Sequence, residues 1–199
     1  MSFSKYERED TILSPYLYPD TRVLINKLGI HDEILLLEAE AILTGQRVIE
    51  LAEKGITGRF TVSHFKNIHK YLFSDLYSFA GKFRTENISK GNTVFCRWEN
   101  INSNLRLLIS NLKVEKYLVD LGKNDFCKRL AHYFAELNLL HPYREGNGRA
   151  TREFIRQLSA NAGHKILWEL VVDKEMLNSM LMSVSDEKCL ADYLTKIIE

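Results

Sequence analysis

The 199-residue sequence predicts an all-α domain that carries one short β-hairpin. Apolar residues recur at three- to four-residue steps through most of the chain, the helical period. The period changes only once, between about residues 83 and 95, and a single hairpin cannot build a sheet protein. At 45% hydrophobic the chain can bury a sizeable core. Two of its three prolines, Pro15 and Pro19, flank a tyrosine-rich Tyr16-Leu-Tyr18, so residues 1–30 read as an irregular lead-in and residues 31–199 as one domain.

Asp32 opens a helix to about Lys54, with Ile34, Leu37, Ala41 and Ile42 as its apolar stripe. Thr61 or Ser63 caps a second helix bearing Phe65, Ile68, Leu72 and Phe73, and Gly81 stops the segment that follows it. Phe83, Thr85 and Asn87 then alternate with Arg84, Glu86 and Ile88. Turn residues Ser89-Lys-Gly-Asn92 precede Thr93-Val-Phe95, which predicts a hairpin over about 82–96. Helical spacing resumes with Ile101, Leu105, Leu108 and Leu112, and again with Phe126, Leu130, Phe134 and Leu137. A further helix runs from about Gly148 to Ala162, stopped by Gly163, and two more fall near 171–183 and 186–198.

Lys+Arg 27 against Asp+Glu 26 gives no global basic field, so no direct nucleic-acid binding and no membrane association is expected. The Lys66, Lys70, Lys82 and Arg84 charges read as a solvated surface. Cys96, Cys127 and Cys189 are odd in number and widely spaced, fitting neither a disulfide framework nor a zinc site, and a reducing cytoplasm is the expected location. The first ten residues lack the apolar core of a signal peptide. His64 and His69, five apart, do not share a helix face as a metal pair would, and read as structural or solvent-facing.

The chemistry concentrates in His141-Pro-Tyr-Arg-Glu-Gly-Asn-Gly-Arg-Ala-Thr-Arg152. Gly146-Asn147-Gly148 stands where a loop turns into a helix, whose unpaired N–H groups and positive end suit an anion that glycine lets approach closely. Arg149 and Arg152 lie on one face near that end and repel each other without an anion, while Ala150, Phe154, Ile155 and Leu158 face the core. Glu145 is a carboxylate placed to hold magnesium beside phosphate oxygens. His141, at the exit of an apolar helix, is the candidate general base. Together they point to phosphoryl or nucleotidyl transfer.

The stretch resembles the Fic motif: histidine, any residue, aromatic, any residue, acid, Gly-Asn-Gly-Arg, two residues, arginine. Tyr143 stands where the family usually has phenylalanine, adding a hydroxyl that needs a partner. Leu76-Tyr-Ser-Phe-Ala-Gly-Lys82 and Ile88-Ser-Lys-Gly-Asn92 resemble the Fic flap and its approach, and Tyr18-Pro to Glu38 resembles the N-terminal stretch of the toxin members. The resemblance implies the Fic fold and transfer of AMP from ATP to a tyrosine, serine or threonine hydroxyl of a target protein. It implies that His141 deprotonates the hydroxyl and Glu145 holds Mg2+, that Gly146, Asn147 and Gly148 form the anion hole, and that Arg149 and Arg152 bind the β and γ phosphates. The flap, with Ile88, Ser89, Lys90, Gly91 and Asn92, would dock the target by strand addition. The unaltered Gly-Asn-Gly favours AMP transfer over movement of phosphate or another group.

The resemblance further implies control by a helix bearing Ser/Thr, three residues, Glu, then Gly or Asn, whose glutamate pairs with Arg152. Only Ser183 with Glu187 and Thr195 with Glu199 approach that spacing, and neither completes it. A separate small antitoxin supplying the helix is therefore expected, with the C-terminal helix acting through Glu199 as the alternative. DNA topoisomerase subunits are the targets that resemblance to the toxin members suggests.

Overall fold

A computed structural model describes residues 14–56, 58–91 and 93–199. The expectations for the first thirteen residues and for Asn92 lie outside these. Among the described residues seven α-helices and one two-stranded hairpin run in the order α1 (Glu33–Lys54), α2 (Val62–Phe73), β1 (Ser89–Lys90), β2 (Thr93–Val94), α3 (Ile101–Val114), α4 (Lys123–Leu140), α5 (Asn147–Asn161), α6 (Asp173–Met182) and α7 (Lys188–Ile197). The all-α class with a small hairpin is what the periodicity predicted.

Helix ends follow local chemistry. Asp32 accepts from Leu35 N at 2.8 Å to cap α1, and Thr61, of the two capping candidates, accepts from His64 N at 3.1 Å to cap α2. α4 lies centrally, packed on α3, α5 and α7, and α5 also packs on α2. The stripes Ile101, Leu105, Leu108 and Leu112 on α3, and Phe126, Leu130, Phe134 and Leu137 on α4, are buried, as are Ala150, Phe154, Ile155 and Leu158 on α5. Residues 14–31 form turns laid over this core, with Lys27 N donating to Leu76 O at 2.8 Å.

Three expectations need correction. The stripe assigned to α1 faces water: Ile34 is 69% and Ile42 72% exposed, whereas Leu36, Glu40, Thr44 and Leu51 are buried. The helix turns its more polar side inward because an arginine from α5 awaits it there. The hairpin is shorter than its alternation suggested, pairing only Ser89 with Val94 and Lys90 with Thr93. Residues 83–88 do not extend β1, since Arg84 N donates to Pro142 O at 2.9 Å and the buried Arg84 and Glu86 side chains are bound to groups outside the hairpin. Arg84 is 1% exposed and not a surface charge.

The Arg84 guanidinium donates from Nε to His141 O at 2.8 Å, from Nη1 to Glu86 O at 2.6 Å, and from Nη2 to Cys96 O and to Leu140 O at 3.4 Å. It thereby ties both ends of the hairpin segment to the end of α4. Glu86 on the same segment pairs with Arg144 Nε at 2.7 Å, both side chains buried. Removing Arg84 leaves several buried carbonyls unsatisfied. Arg84→Ala should lower the unfolding free energy by about 4 kcal/mol, read as the urea midpoint by circular dichroism, and Lys70→Ala, at an exposed position, should change it little.

Candidate active site

The site is built on the junction between α4 and α5. A helix ends with carbonyls that have no intrahelical donor, and each must find one. Here they are accounted for in sequence: Leu137 O accepts from His141 N, Asn138 O from the His141 ring, Leu139 O from Cys96 N, and Leu140 O and His141 O from Arg84. His141 itself takes the left-handed conformation, φ 42 and ψ 58, costing a non-glycine residue about 1 kcal/mol. That turn throws its ring off the helix axis onto Phe95, with centroids 3.8 Å apart.

The bond of His141 Nδ1 to Asn138 O at 2.8 Å fixes the tautomer, because a carbonyl accepts only from a protonated nitrogen. Nε2 therefore carries the lone pair. Burial holds the imidazole neutral, its pKa lowered to about 3, with the Asn138 carbonyl opposing and Arg84 and Lys90 adding to the shift. The sequence-predicted base is thus unprotonated near neutrality.

Residues 143–147 form a closed loop. Asn147 Oδ1 accepts from Tyr143 N at 2.8 Å and its Nδ2 donates to Tyr143 O at 2.7 Å. Its side chain is therefore spent on the loop, and only its backbone is available to a ligand. The Tyr143 hydroxyl finds Phe65 O at 3.2 Å, which satisfies the group that distinguishes it from phenylalanine. Gly146 has φ +79, and a Cβ there would meet the Phe73 ring at 2.1 Å, so glycine is required twice over. Among the described residues no side chain caps α5, and the first-turn N–H groups of Asn147, Gly148 and Arg149 have no intrahelical acceptor. A helix end of this kind has the chemistry of an anion cradle.

The two arginines differ. Arg149 turns to α1, where its Nη2 donates to Glu40 Oε1 and its Nη1 to Thr44 Oγ1 at 2.8 Å, and it lies over the Phe73 ring at 4.7 Å. Arg152 is exposed, has no hydrogen-bond or ion-pair partner among the described residues, and lies close to the cradle, since a Cβ on Gly148 would come within 3.3 Å of its Nη1. The protein around it and Arg149 disfavour its charge, and Asp173 favours it. Their mutual repulsion is thus relieved on one side only.

Glu145 Oε1 accepts from Gly146 N at 2.9 Å and stands 3.9 Å from Arg149 Nη2. Oε2 has no protein partner among the described residues. Burial, then Glu40, push the carboxyl above its ordinary pKa. A half-buried carboxylate with one oxygen unclaimed among the described residues, beside a helix N-terminus, fits a magnesium ligand.

Of the flap residues, Ile88 and Ser89 are buried and Lys90 and Gly91 exposed. The pairing of Lys90 with Thr93, and Phe95 N with Ile88 O at 3.3 Å, places the Ser89 and Val94 N–H groups outward by ladder alternation.

Sequence reasoning missed Glu40, Thr44 and His69. Both helical histidines are buried, His64 against Gln157 at 2.9 Å, so neither faces solvent. His69 Nδ1 accepts from Gly81 N and its Nε2 donates to Glu145 O, both at 2.9 Å, while its ring stacks on Tyr143 at 3.7 Å. It clamps the cradle loop to the approach to the flap. Its wrong-face spacing to His64 was real, but the only signal for a clamp was its place on an apolar helix face.

A profile of the Fic/DOC family matches residues 59–159. The chain belongs to that family. It is 41% identical over 179 residues to "Protein adenylyltransferase VbhT" of Bartonella schoenbuchensis, covering 90% of this chain but only 37% of VbhT. It is 36% identical over 186 residues to "Probable protein adenylyltransferase Fic" of Escherichia coli, covering 92% of each. The N-terminal Fic domain of a VirB-translocated Bep effector of Bartonella quintana, with bound ADP, superposes with a TM-score of 0.86 at 25% identity over 92% of this chain and 94% of that one. The helical fold with its hairpin is the Fic fold, and among the described residues no helix is long and apolar enough to cross a membrane.

The two deeply buried histidines set a pH dependence. His69, like His141, has its pKa lowered to about 3, chiefly by burial. The unfolded chain protonates both near pH 6.5, so their contribution is full above that pH and is lost as pH falls toward 3. Stability should decline by about 1.4 kcal/mol per pH unit for each histidine across this window. Urea melts at pH 7.5, 6 and 5 measure the slope. His69→Gln, itself less stable, should show a shallower one, and a midpoint flat to pH 5 would contradict this account.

Proposed function

We propose that the chain is a protein adenylyltransferase that moves AMP from ATP onto a tyrosine, serine or threonine hydroxyl of a target protein. One observation carries the reading: a neutral histidine, its Nδ1 proton fixed on Asn138 O, leads through a glycine loop into a helix N-terminus that has no side-chain cap among the described residues, with Arg152 beside it. A base and a polyphosphate cradle on one rigid turn are what nucleotidyl transfer to a hydroxyl needs. The names of the VbhT and Escherichia coli relatives and the ADP of the Bartonella quintana neighbour support it.

His141 Nε2 takes the proton of the target hydroxyl. The oxygen attacks the α-phosphorus, the new P–O bond forms, and the bond from that phosphorus to its bridging oxygen breaks as pyrophosphate leaves. The backbone of Gly146, Asn147 and Gly148 and the guanidiniums of Arg149 and Arg152 hold the phosphates. Glu145 would hold Mg2+, which when bound neutralises phosphate charge. The target lies along the flap, whose outward N–H groups face opposite edges, Ser89 along β1 and Val94 along β2, and the edge of the exposed Val94 is the one offered to a strand.

We further infer that the enzyme is a cytoplasmic toxin restrained by a separate small antitoxin, whose glutamate would occupy Arg152. Its guanidinium, without a hydrogen-bond or ion-pair partner among the described residues, favours this. The alternatives within the chain meet obstacles: Glu187 pairs with His132 at 2.9 Å, and Glu199 exchanges backbone bonds with Lys165 beyond the far end of α5. DNA topoisomerase subunits are the first targets to assay.

ATP labelled on the α phosphate should label the target and ATP labelled on the γ phosphate should not. His141→Ala should abolish labelling with ATP affinity nearly intact, whereas label arriving from the γ position would reject AMP transfer. Val94→Pro removes an outward donor without touching the paired residues Lys90 and Thr93, and should abolish target labelling more than self-labelling. Equal rates with wild type would exclude docking along the flap.

A further inference from the structure

Glu40 is a carboxylate 4% exposed on the inward face of α1, in a buried row with Leu36, Thr44 and Leu51. A buried ion pair is seldom more stabilising than apolar residues of the same volume. Its presence there calls for a reason other than packing. Each of its oxygens is engaged: Oε1 by Arg149 Nη2 and Oε2 by the Tyr77 hydroxyl. One turn on, Thr44 Oγ1 accepts from Arg149 Nη1 while donating to Glu40 O at 2.6 Å. The guanidinium is thus gripped at both terminal nitrogens, with the Phe73 ring beneath it.

The same Nη2 stands 3.9 Å from Glu145 Oε1. Two carboxylates therefore compete for one guanidinium nitrogen, and Glu40 holds the nearer position. Without it, Coulomb attraction would draw Arg149 onto Glu145, closing an i, i+4 pair over the cradle.

We propose that Glu40, with Thr44, is a positioning residue for the phosphate site: it fixes Arg149 beside the uncapped end of α5 and keeps it off Glu145. The assignment rests on the adenylyltransferase reading for its consequence, though not for its geometry. The inward polar face of α1 is then a functional surface. Arg152, which lacks such a grip, is left to the ligand or the inhibitor.

The test combines a spectroscopic and a kinetic reading of Glu40→Gln. Slow rotation of a gripped guanidinium separates its Nη1 and Nη2 proton signals in nitrogen-15 spectra. Arg149 should show separate signals in the wild type and merged ones in Glu40→Gln. AMP transfer should fall about 10- to 100-fold in kcat, with KM for ATP changed less than about threefold, because the leaving pyrophosphate and not the ground state loses its fixed partner. In an Arg149→Ala background the same substitution should have little further effect, since Glu40 acts through that arginine. If Glu40→Gln does not fold, Thr44→Val, which removes one bond of the grip, is read in the same way with a smaller loss.

Merged Arg149 signals already in the wild type, or equal losses of kcat in the two backgrounds, would overturn the assignment. A wild type that transfers no AMP but shows the separated signals, merging in Glu40→Gln, would reject the enzymatic reading while leaving the grip on Arg149 standing.

Discussion

One buried guanidinium organises this molecule. Arg84 supplies donors to Glu86 O and Cys96 O at the two ends of the flap and to Leu140 O and His141 O at the end of α4. Those last two carbonyls sit at the negative pole of an eighteen-residue helix, where a cation is favoured by the dipole as well as by the individual bonds. A charge with no carboxylate among these partners can remain in the interior because several aligned carbonyls replace its water. The flap and the base are consequently one rigid body: the left-handed turn at His141 is held by the same group that closes the base of the hairpin.

Charge is handled differently at the other half of the site. Arg149 is neutralised in advance by Glu40 and steadied by Thr44, whereas Arg152 is left without a protein partner among the described residues. On the adenylyltransferase reading, an incoming polyphosphate would meet one arginine already oriented and one still to be recruited. A preorganised group loses little freedom on binding, so geometry would come from Arg149 and responsiveness from Arg152. An inhibitory carboxylate aimed at Arg152 would exploit this division, since it finds there the cation that nothing inside the described chain has claimed.

Most of the fold and the motif were legible in the sequence because they obey local rules. Period, capping residues and glycine stops act within a few residues, and Asp32, Thr61 and Gly163 stand at or beside the ends of helices they were expected to mark. The motif was legible because its twelve residues are contiguous, so their chemistry could be read without knowing the fold. What could not be read were the long-range polar contacts. Glu40 meets Arg149 across 109 positions, and no pattern local to α1 tells which of its two faces will find a guanidinium. The apolar stripe was mistaken for the inward face for that reason. Arg84 was misjudged similarly, for residue type and neighbourhood suggested a surface charge, and His69, read as structural or solvent-facing, proves structural; each has a partner in the turn at residues 140–145 that no local pattern announces.

Both site histidines are oriented by backbone groups. His141 gives its Nδ1 proton to Asn138 O, and His69 is held between Gly81 N and Glu145 O. Burial, with Arg84 and Lys90 adding to it, leaves His141 neutral and a weak base in the free protein. On the adenylyltransferase reading this is useful, because negative charge arrives with the substrate. Phosphate oxygens lodged at the end of α5 favour the protonated imidazole electrostatically, so basicity rises when ATP is in place and the proton of a target hydroxyl has somewhere to go. The base is thus strengthened by the ligand it serves, and a hydroxyl that docks before the nucleotide meets only a poor proton acceptor.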